Sequence, residues 1–157
     1  MATSNYELLN ICEKLKIPLV GIYSKDQIPK ELSNGGYIIN LQDLYDKETG
    51  EKNEGTHWTG LYVFKNNQAI YFDSFGFPPP NIIVQLLKKQ NIKCQINLKE
   101  IQNINSSTCG KYVIAFLIYV SKYSLNIEPF ITQFSDDPEK NNKLLQSFLS
   151  HFSINIY

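Results

Sequence analysis

Arginine is absent from this sequence, and cysteine and histidine are scarce. Lysine supplies all 15 basic side chains of the 157-residue chain, which has three cysteines and two histidines. Cys12, Cys94 and Cys109 are too few and too far apart in the sequence for a disulfide scaffold. Because neither a CxxC nor an HxxxH spacing occurs, we expect no zinc site.

Net charge is missing as well, since 15 acidic residues balance the 15 basic ones. A protein that binds nucleic acid by neutralising phosphates has a basic excess, so strong nucleic-acid binding is not expected. The longest apolar run, 113–120, is too short to span a bilayer. The first residues lack the basic and apolar segments of a secretory signal. We therefore expect an intracellular protein in a reducing setting, without membrane association.

The hydrophobic residues, 43% of the chain, suffice for a core, and we expect a single α+β domain over residues 1–157. Spacing and capping signals predict a first helix that begins at Ser4 and a last helix that begins at Asp136 or Asp137. Two more helices are predicted at 81–89 and 110–123, and strands at 19–23, 37–41, 57–64, 69–75 and 92–98. The helix 110–123 is apolar on nearly all sides, so it should be a buried central helix packed on a mixed or antiparallel sheet.

Cys109 stands immediately before that central helix, behind the capping hydroxyls of residues 106–108. A helix N-terminus lowers the pKa of a thiol, and its free N–H groups can stabilise an oxyanion. Gly110 has no side chain and leaves room for a substrate backbone. From position alone, an unreactive cysteine that merely begins a buried helix is an equally good interpretation.

Two histidines could serve as a base. His151 falls near the end of the last helix, where we expect a structural or exposed role. His57 opens a strand between Gly55 and Gly60, and Trp58 beside it is large enough to wall a site. Each of these features alone is weak evidence for catalysis.

Asp73 raises the significance of His57, because it lies in the aromatic strand that should pair with the histidine's strand. A carboxylate there is costly unless it is paired. A two-residue hairpin turn would pair Asp73 with Gly60 and put His57 on the opposite face. A three- or five-residue connection, or a bulge, would put both side chains on one face. If the two residues act together, the hairpin cannot have the shortest turn.

Gln102 precedes Cys109 and carries a side-chain amide that could be a second oxyanion donor. Gln95 and Asn103 are alternatives for that role.

The quoted segments, Gly55-Thr56-His57-Trp58, 71–76, Gln102 and 107–110, together resemble the adenovirus proteinase (adenain) family, which is related to proteases of ubiquitin-like proteins. The resemblance covers roughly half the chain, from Gly55 to the end of the central helix. It implies an adenain-like, papain-like fold with Cys109 as nucleophile, His57 as base, Asp73 as orienting acid and Gln102 as oxyanion donor. Trp58 matches the aromatic residue after the histidine, and Gly55 and Gly110 are expected beside the substrate.

The resemblance further implies a monomeric cysteine endopeptidase that needs no metal or organic cofactor. Its expected partner is a capsid or other virion precursor, cut at small, Gly-containing sites in the host cytoplasm or the virion of a virus or virophage. Two departures are visible. Adenain has Glu where this chain has Asp73, and adenain is stimulated by DNA and a peptide, whereas the neutral charge of this chain gives DNA activation little support. Cys94 lies roughly where adenain keeps a cysteine for that peptide, so an activating peptide stays open.

Two alternatives remain at this point. A protease of the same class could act on host ubiquitin or SUMO conjugates. A capsid-binding domain could keep the fold without catalysis, although the set of His57, Asp73, Gln102 and Cys109 speaks against this hypothesis.

Overall fold

The computed structural model of the protein describes residues 3–53, 57–122 and 125–156. Its helices are α1 (Asn5–Lys14), α2 (Asn81–Lys89), α3 (Cys109–Lys122), α4 (Glu128–Ile131) and α5 (Pro138–Ser150). Its strands are β1 (Leu19–Ser24), β2 (Gly35–Asn40), β3 (Trp58–Val63), β4 (Gln68–Phe72) and β5 (Lys93–Ile96). No helix among these described residues is long and apolar enough to cross a bilayer.

The strands of the described residues form one mixed sheet in the order β1-β2-β3-β4-β5. The outer pairs β1–β2 and β4–β5 are parallel, whereas β3 is antiparallel to both of its neighbours. This arrangement confirms the predicted α+β class with helices on a mixed sheet. It also makes the β3–β4 hairpin the centre of the fold.

Each face of the sheet packs against its own apolar cluster, as the alternation of side chains along a strand requires. Leu61 of β3 and Tyr71 of β4 face the smaller cluster, which includes Ile83 and Leu87 of α2. The even-numbered positions of β3 and β4, such as Phe72, face the larger cluster around α3. That cluster also takes in residues of α1, α4 and α5, so α3 is enclosed on all sides and confirms the predicted buried central helix.

Gly60 sets how closely α3 approaches the sheet. A Cβ atom placed on this residue would lie 2.8 Å from Cδ2 of Phe116 and 3.2 Å from Cγ1 of Val113. Any larger residue would therefore push α3 away from β3. Since β3 follows His57 and α3 begins at Cys109, this contact also fixes the distance between the two candidate reacting groups.

The predicted elements are confirmed with modest changes of boundary. Asp137, and not Asp136, caps α5, because its carboxylate accepts a hydrogen bond of 3.0 Å from the amide of Glu139. β4 ends at Phe72, so Asp73 follows the strand instead of lying within it. The short helix α4 and a 3₁₀ turn at Lys25–Gln27 were not predicted, because elements of three or four residues give no periodicity to detect.

Replacing Gly60 by Ala should lower the free energy of unfolding by about 1–3 kcal/mol, the usual cost of overpacking a core. Urea denaturation measures this cost. The second substitution Phe116→Leu supplies the control, because it removes the ring that the new methyl group would meet. The double variant should be more stable than the sum of the two single losses predicts. Strictly additive losses would contradict the proposed contact.

Candidate active site

The β3–β4 hairpin has the three-residue connection that a joint role of His57 and Asp73 demands. The Phe64 amide donates to the Gln68 carbonyl at 2.8 Å, and further along the ladder Gly60 pairs with Phe72. Three residues, 65–67, remain for the loop, and the last of them, Asn67, has a φ of 57°. A residue in the left-handed region is typical of such loops. The register therefore brings His57 and Asp73 to the same side of the hairpin.

His57 and Asp73 form a buried, charge-assisted hydrogen bond at the ends of the two strands. The distance between His57 Nε2 and Asp73 Oδ1 is 2.7 Å, and the two residues are only 7% and 0% exposed. Asn97 holds the backbone of Asp73 in place, because its side chain accepts from the Asp73 amide at 3.0 Å and donates to the Asp73 carbonyl at 2.7 Å. The carboxylate is thus fixed in position to orient the imidazole.

The surroundings of His57 favour its protonated form. Burial alone would lower the pKa of the imidazole, but the hydrogen bond that His57 donates to Asp73 and the nearby Cys109 outweigh burial and raise this pKa to about 9. Nε2 is occupied by Asp73, whereas Nδ1 has no well-formed hydrogen bond to a described residue. Nδ1 is therefore the nitrogen available to the Cys109 thiol.

Cys109 is the first residue of α3 and is 4% exposed. The Thr108 carbonyl accepts the first helical hydrogen bonds, from the amides of Lys111 and Tyr112 at 3.0 and 3.1 Å. Its hydroxyl bonds to that of Ser106 at 2.8 Å, so the predicted hydroxyl cap is directed toward the preceding loop. No described residue accepts a hydrogen bond from the Cys109 amide, which leaves this N–H available to an oxyanion.

The other two cysteines have the opposite environment. Burial raises the pKa of Cys12 to about 12 and that of Cys94 to about 11. Both thiols therefore stay protonated near neutral pH, and of the three cysteines Cys109 is the one beside a histidine. Cys94 lies on the edge strand β5, where its Sγ contacts the carbonyl of Gln95 at 3.4 Å.

Gln102 is fully buried and its amide is held in one orientation. Oε1 accepts a hydrogen bond from the Ser74 hydroxyl at 2.5 Å, and Nε2 donates to the Ser106 carbonyl at 3.0 Å. The amino group is thus directed toward the segment that leads to Cys109. Of the two alternatives, Gln95 is exposed and bonds to the backbone at 125–127. Asn103 is exposed and accepts from an amide within its own loop.

Trp58 and Gly110 both contact the N-terminal segment of the chain. The indole N–H of Trp58 donates to the Thr3 carbonyl at 3.0 Å. A Cβ atom on Gly110 would lie 3.1 Å from Thr3 Cβ and 3.2 Å from Leu8 Cδ2. The structure thus gives Gly110 a packing role, and its expected place beside a substrate stays a prediction. Gly55 lies outside the described residues.

A cleft of about 700 Å³ lies beside Trp58. Its walls include Tyr23 of β1, Asn40 of β2 and Asp43 in the following loop. The side chains of the four candidate catalytic residues do not line this cleft. The cleft nevertheless lies next to His57, because Trp58, which lines the cleft, follows His57 directly in the chain and pairs with Asn40 in the sheet.

His151 is exposed, as predicted. It caps the C-terminal end of α5, and its Nδ1 atom lies 2.8 Å from the Ser147 carbonyl. Within the described part of the chain, no hydrogen bond or ion pair links His151 to the four candidate catalytic residues.

Three residues of the site were missed in the sequence. Ser74 and Phe75 belong to the same motif as Asp73, and their proximity to it was the available signal. Nothing in the sequence pointed to Asn97. It lies 24 positions from Asp73, and only the pairing of β4 with β5 brings the two residues within hydrogen-bonding distance.

Comparisons with known proteins find similarity at the level of the fold. No protein-family model matches the sequence, and no curated protein matches it. The chain is similar to the crystal structure of the ASFV pS273R protease, with a TM-score of 0.58 and 15% identity over 89% of this chain. The match covers 64% of that chain, so this chain spans less than two thirds of the viral protease's length. The central domain of the uncharacterized Lpg1148 protein from Legionella pneumophila gives a TM-score of 0.48 at 11% identity, over 97% of this chain and 96% of that domain.

The chain therefore has the fold of a viral protease. This likeness confirms the expected fold class, whereas membership of the adenain family in particular stays a hypothesis. The roles of Cys109, His57, Asp73 and Gln102 stay predictions.

His57 should keep its proton well above the pH at which an ordinary histidine loses it. We expect an NMR titration of its imidazole to give a midpoint near 9, with the signal assigned by its loss in His57→Gln. The pKa of His57 is raised from 6.5 in the unfolded chain to about 9 in the folded protein. The stability that this proton contributes is therefore complete below pH 6.5 and is lost as the pH rises through about 9. A midpoint at or below 6.5 would contradict the ion pair.

Proposed function

We propose that this protein is a cysteine endopeptidase with Cys109 as its nucleophile. The observation that carries the proposal is the position of Cys109 at the N-terminus of α3, beside His57. The Nε2 atom of His57 is hydrogen-bonded to the buried Asp73, which leaves Nδ1 for Cys109. A helix N-terminus and an adjacent imidazolium both favour a thiolate over a thiol. The fold, shared with a viral protease, supports the same conclusion.

The geometry supports an acyl-transfer mechanism. Transfer of the Cys109 proton to Nδ1 of His57 forms an imidazolium–thiolate pair, and the thiolate attacks a peptide carbonyl to form a tetrahedral intermediate. The imidazolium then protonates the departing amine, and the acyl group stays on the sulfur. The now neutral His57 takes a proton from water as the water attacks the thioester, which releases the carboxylic acid product and restores the imidazolium–thiolate pair. Throughout the cycle, Asp73 holds the imidazole orientation and stabilises its charged form.

Two donors are available to the oxyanion of the intermediate. One is the backbone N–H of Cys109, which donates a hydrogen bond to no described residue. The other is the Gln102 amino group, oriented by Ser74 and Ser106. Preorganised donors of this kind lower the barrier because they need no rearrangement as the charge develops.

We place the enzyme in virion maturation, with a capsid or other virion precursor as its substrate. The fold likeness to a viral protease supports this placement, and the sequence resemblance to adenain supports cleavage at small, Gly-containing sites. The cleft beside Trp58 is the proposed binding surface for the extended substrate. Action as a monomer in the host cytoplasm or the virion, with or without an activating peptide, belongs to the same proposal.

Alkylation by iodoacetamide at graded pH, read by mass spectrometry, tests the reactive pair. Cys109 should be modified rapidly below neutral pH, whereas Cys12 and Cys94 should react slowly because burial raises their pKa to about 12 and about 11. The two other cysteines are thus controls within the same molecule. His57→Ala should slow the modification of Cys109 at low pH, and Cys109→Ala should abolish peptide cleavage without loss of the fold. Equal reactivity of all three cysteines, or cleavage by Cys109→Ala, would overturn the proposal.

The substrate class is tested by comparing two kinds of probe. Unfolded peptides with Gly-Gly and Gly-Ala bonds should be cleaved, and ubiquitin or SUMO fused ahead of the same bonds should not be cleaved faster. Cys109→Ala serves as the blank for both probes. Strong preference for a fusion would instead assign the enzyme to host conjugates.

A further inference from the structure

Phe75 covers one face of the His57 ring. The two ring centroids are 4.0 Å apart and the ring planes differ by 9°, which is a close parallel stack. The mechanism described above uses both edges of the imidazole but assigns nothing to its faces. An aromatic side chain pressed flat against the base of a proton-transfer system is therefore an unassigned part of the site.

The backbone around Phe75 is locked in the position that the stack needs. Its amide donates to Asp73 Oδ1 at 2.8 Å, the same oxygen that binds His57. The chain then turns sharply at Gly76, whose φ is 78° and whose amide donates to the Asp73 carbonyl at 2.9 Å. A Cβ atom on Gly76 would lie 2.8–2.9 Å from backbone atoms of residues 98–100, so only glycine fits this turn. Phe75 thus contacts both His57 and Asp73.

The outer side of Phe75 is supported by a second ring. Phe77 meets it edge-on, with centroids 6.3 Å apart and an interplanar angle of 76°. Phe77 is 53% exposed, whereas Phe75 is half-buried. Phe75 therefore separates the hydrogen bond between His57 and Asp73 from solvent on this side.

We infer that Phe75 is a positioning residue that holds the His57 imidazole in the catalytic plane and stabilises its protonated form. A flat stack prevents the ring from rotating about its bond to Cβ, so Nδ1 stays directed at Cys109. The electron-rich face of the phenyl ring also attracts a cation more than it attracts a neutral imidazole. This inference rests on the proposed pairing of Cys109 with His57.

Among the described residues, two titratable groups act on the protonation of His57: Asp73 at the end of β4 and Cys109 at the start of α3. Phe75 carries no charge, so its effect on the protonated ring comes from its aromatic face and from exclusion of water. Replacement by an aliphatic residue of similar size removes the aromatic face and keeps most of the volume.

The test compares Phe75→Leu with Phe75→Tyr. In Phe75→Leu, the NMR midpoint of His57 should fall by about one pH unit, a tenfold change equivalent to about 1.4 kcal/mol. Phe75→Tyr keeps the ring face and should keep the midpoint of His57 near its wild-type value. Phe77→Leu, which changes the exposed neighbour that makes no ring contact with His57, is the matched control and should leave this midpoint in place.

A merely structural role of Phe75 would lower the alkylation rate of Cys109 at every pH without moving the NMR midpoint of His57, and that result would overturn the inference. Phe75→Met gives the same comparison if Phe75→Leu does not fold, as judged by circular dichroism. Failure of the proposed function looks different, because wild-type Cys109 would then be alkylated no faster than Cys12 and Cys94. The NMR midpoint of His57 can be compared between the variants in either case.

Discussion

The buried carboxylate of Asp73 imposes the constraint on which the geometry of the site depends. A charged group without access to water must be paired and hydrogen-bonded, or it destabilises the fold. Here Oδ1 binds the imidazole of His57 and the amide of Phe75, while Asn97 binds the backbone on both sides. Each of these contacts needs its own local geometry: a three-residue hairpin loop, a turn that only Gly76 can make, and the end of β5 beside the end of β4. The requirements of one carboxylate thus determine the arrangement of three separate segments.

Such a pair contributes little to the net stability of the fold. Removal of two charges from water costs several kcal/mol, and the attraction between them recovers only part of that cost. The stability must come from the two apolar clusters on either face of the sheet, above all from the enclosed helix α3. A site that is locally costly and surrounded by close packing is typical of residues retained for their chemistry. The close contact of Gly60 with Phe116 shows that this packing also fixes the site, since it sets the position of α3 relative to β3.

The longer elements could be predicted from the sequence, and the reasons are local. The apolar run identified α3, and the richness in aromatic and β-branched residues identified the β3–β4 hairpin, in which His57 and Asp73 stand out as polar side chains. If these two residues act together, strand alternation excludes the shortest hairpin turn, and the loop of the structure has three residues. What could not be predicted depends on contacts between distant segments. Asn97 reaches Asp73 only through the parallel pairing of β5 with β4, and Thr3 reaches Trp58 across 55 positions of the chain. The space beside Gly110 shows the same limit, because its occupants are Leu8 of α1 and Thr3, which precedes that helix.

The first helix therefore belongs to the scaffold of the site, although its sequence shows only an ordinary amphipathic pattern. The Thr3 carbonyl holds Trp58, next to His57, and its side chain packs on Gly110, next to Cys109. A third link is the ion pair between the 51% exposed Glu7 and Lys111, whose side chain is only 6% exposed, at 2.9 Å. A buried ammonium left without its partner is costly, so this link is stronger than an exposed ion pair would be. The three contacts connect α1 and the residues just before it to Trp58 of β3 and to α3, so packing between secondary-structure elements helps to set the separation of the candidate reacting groups.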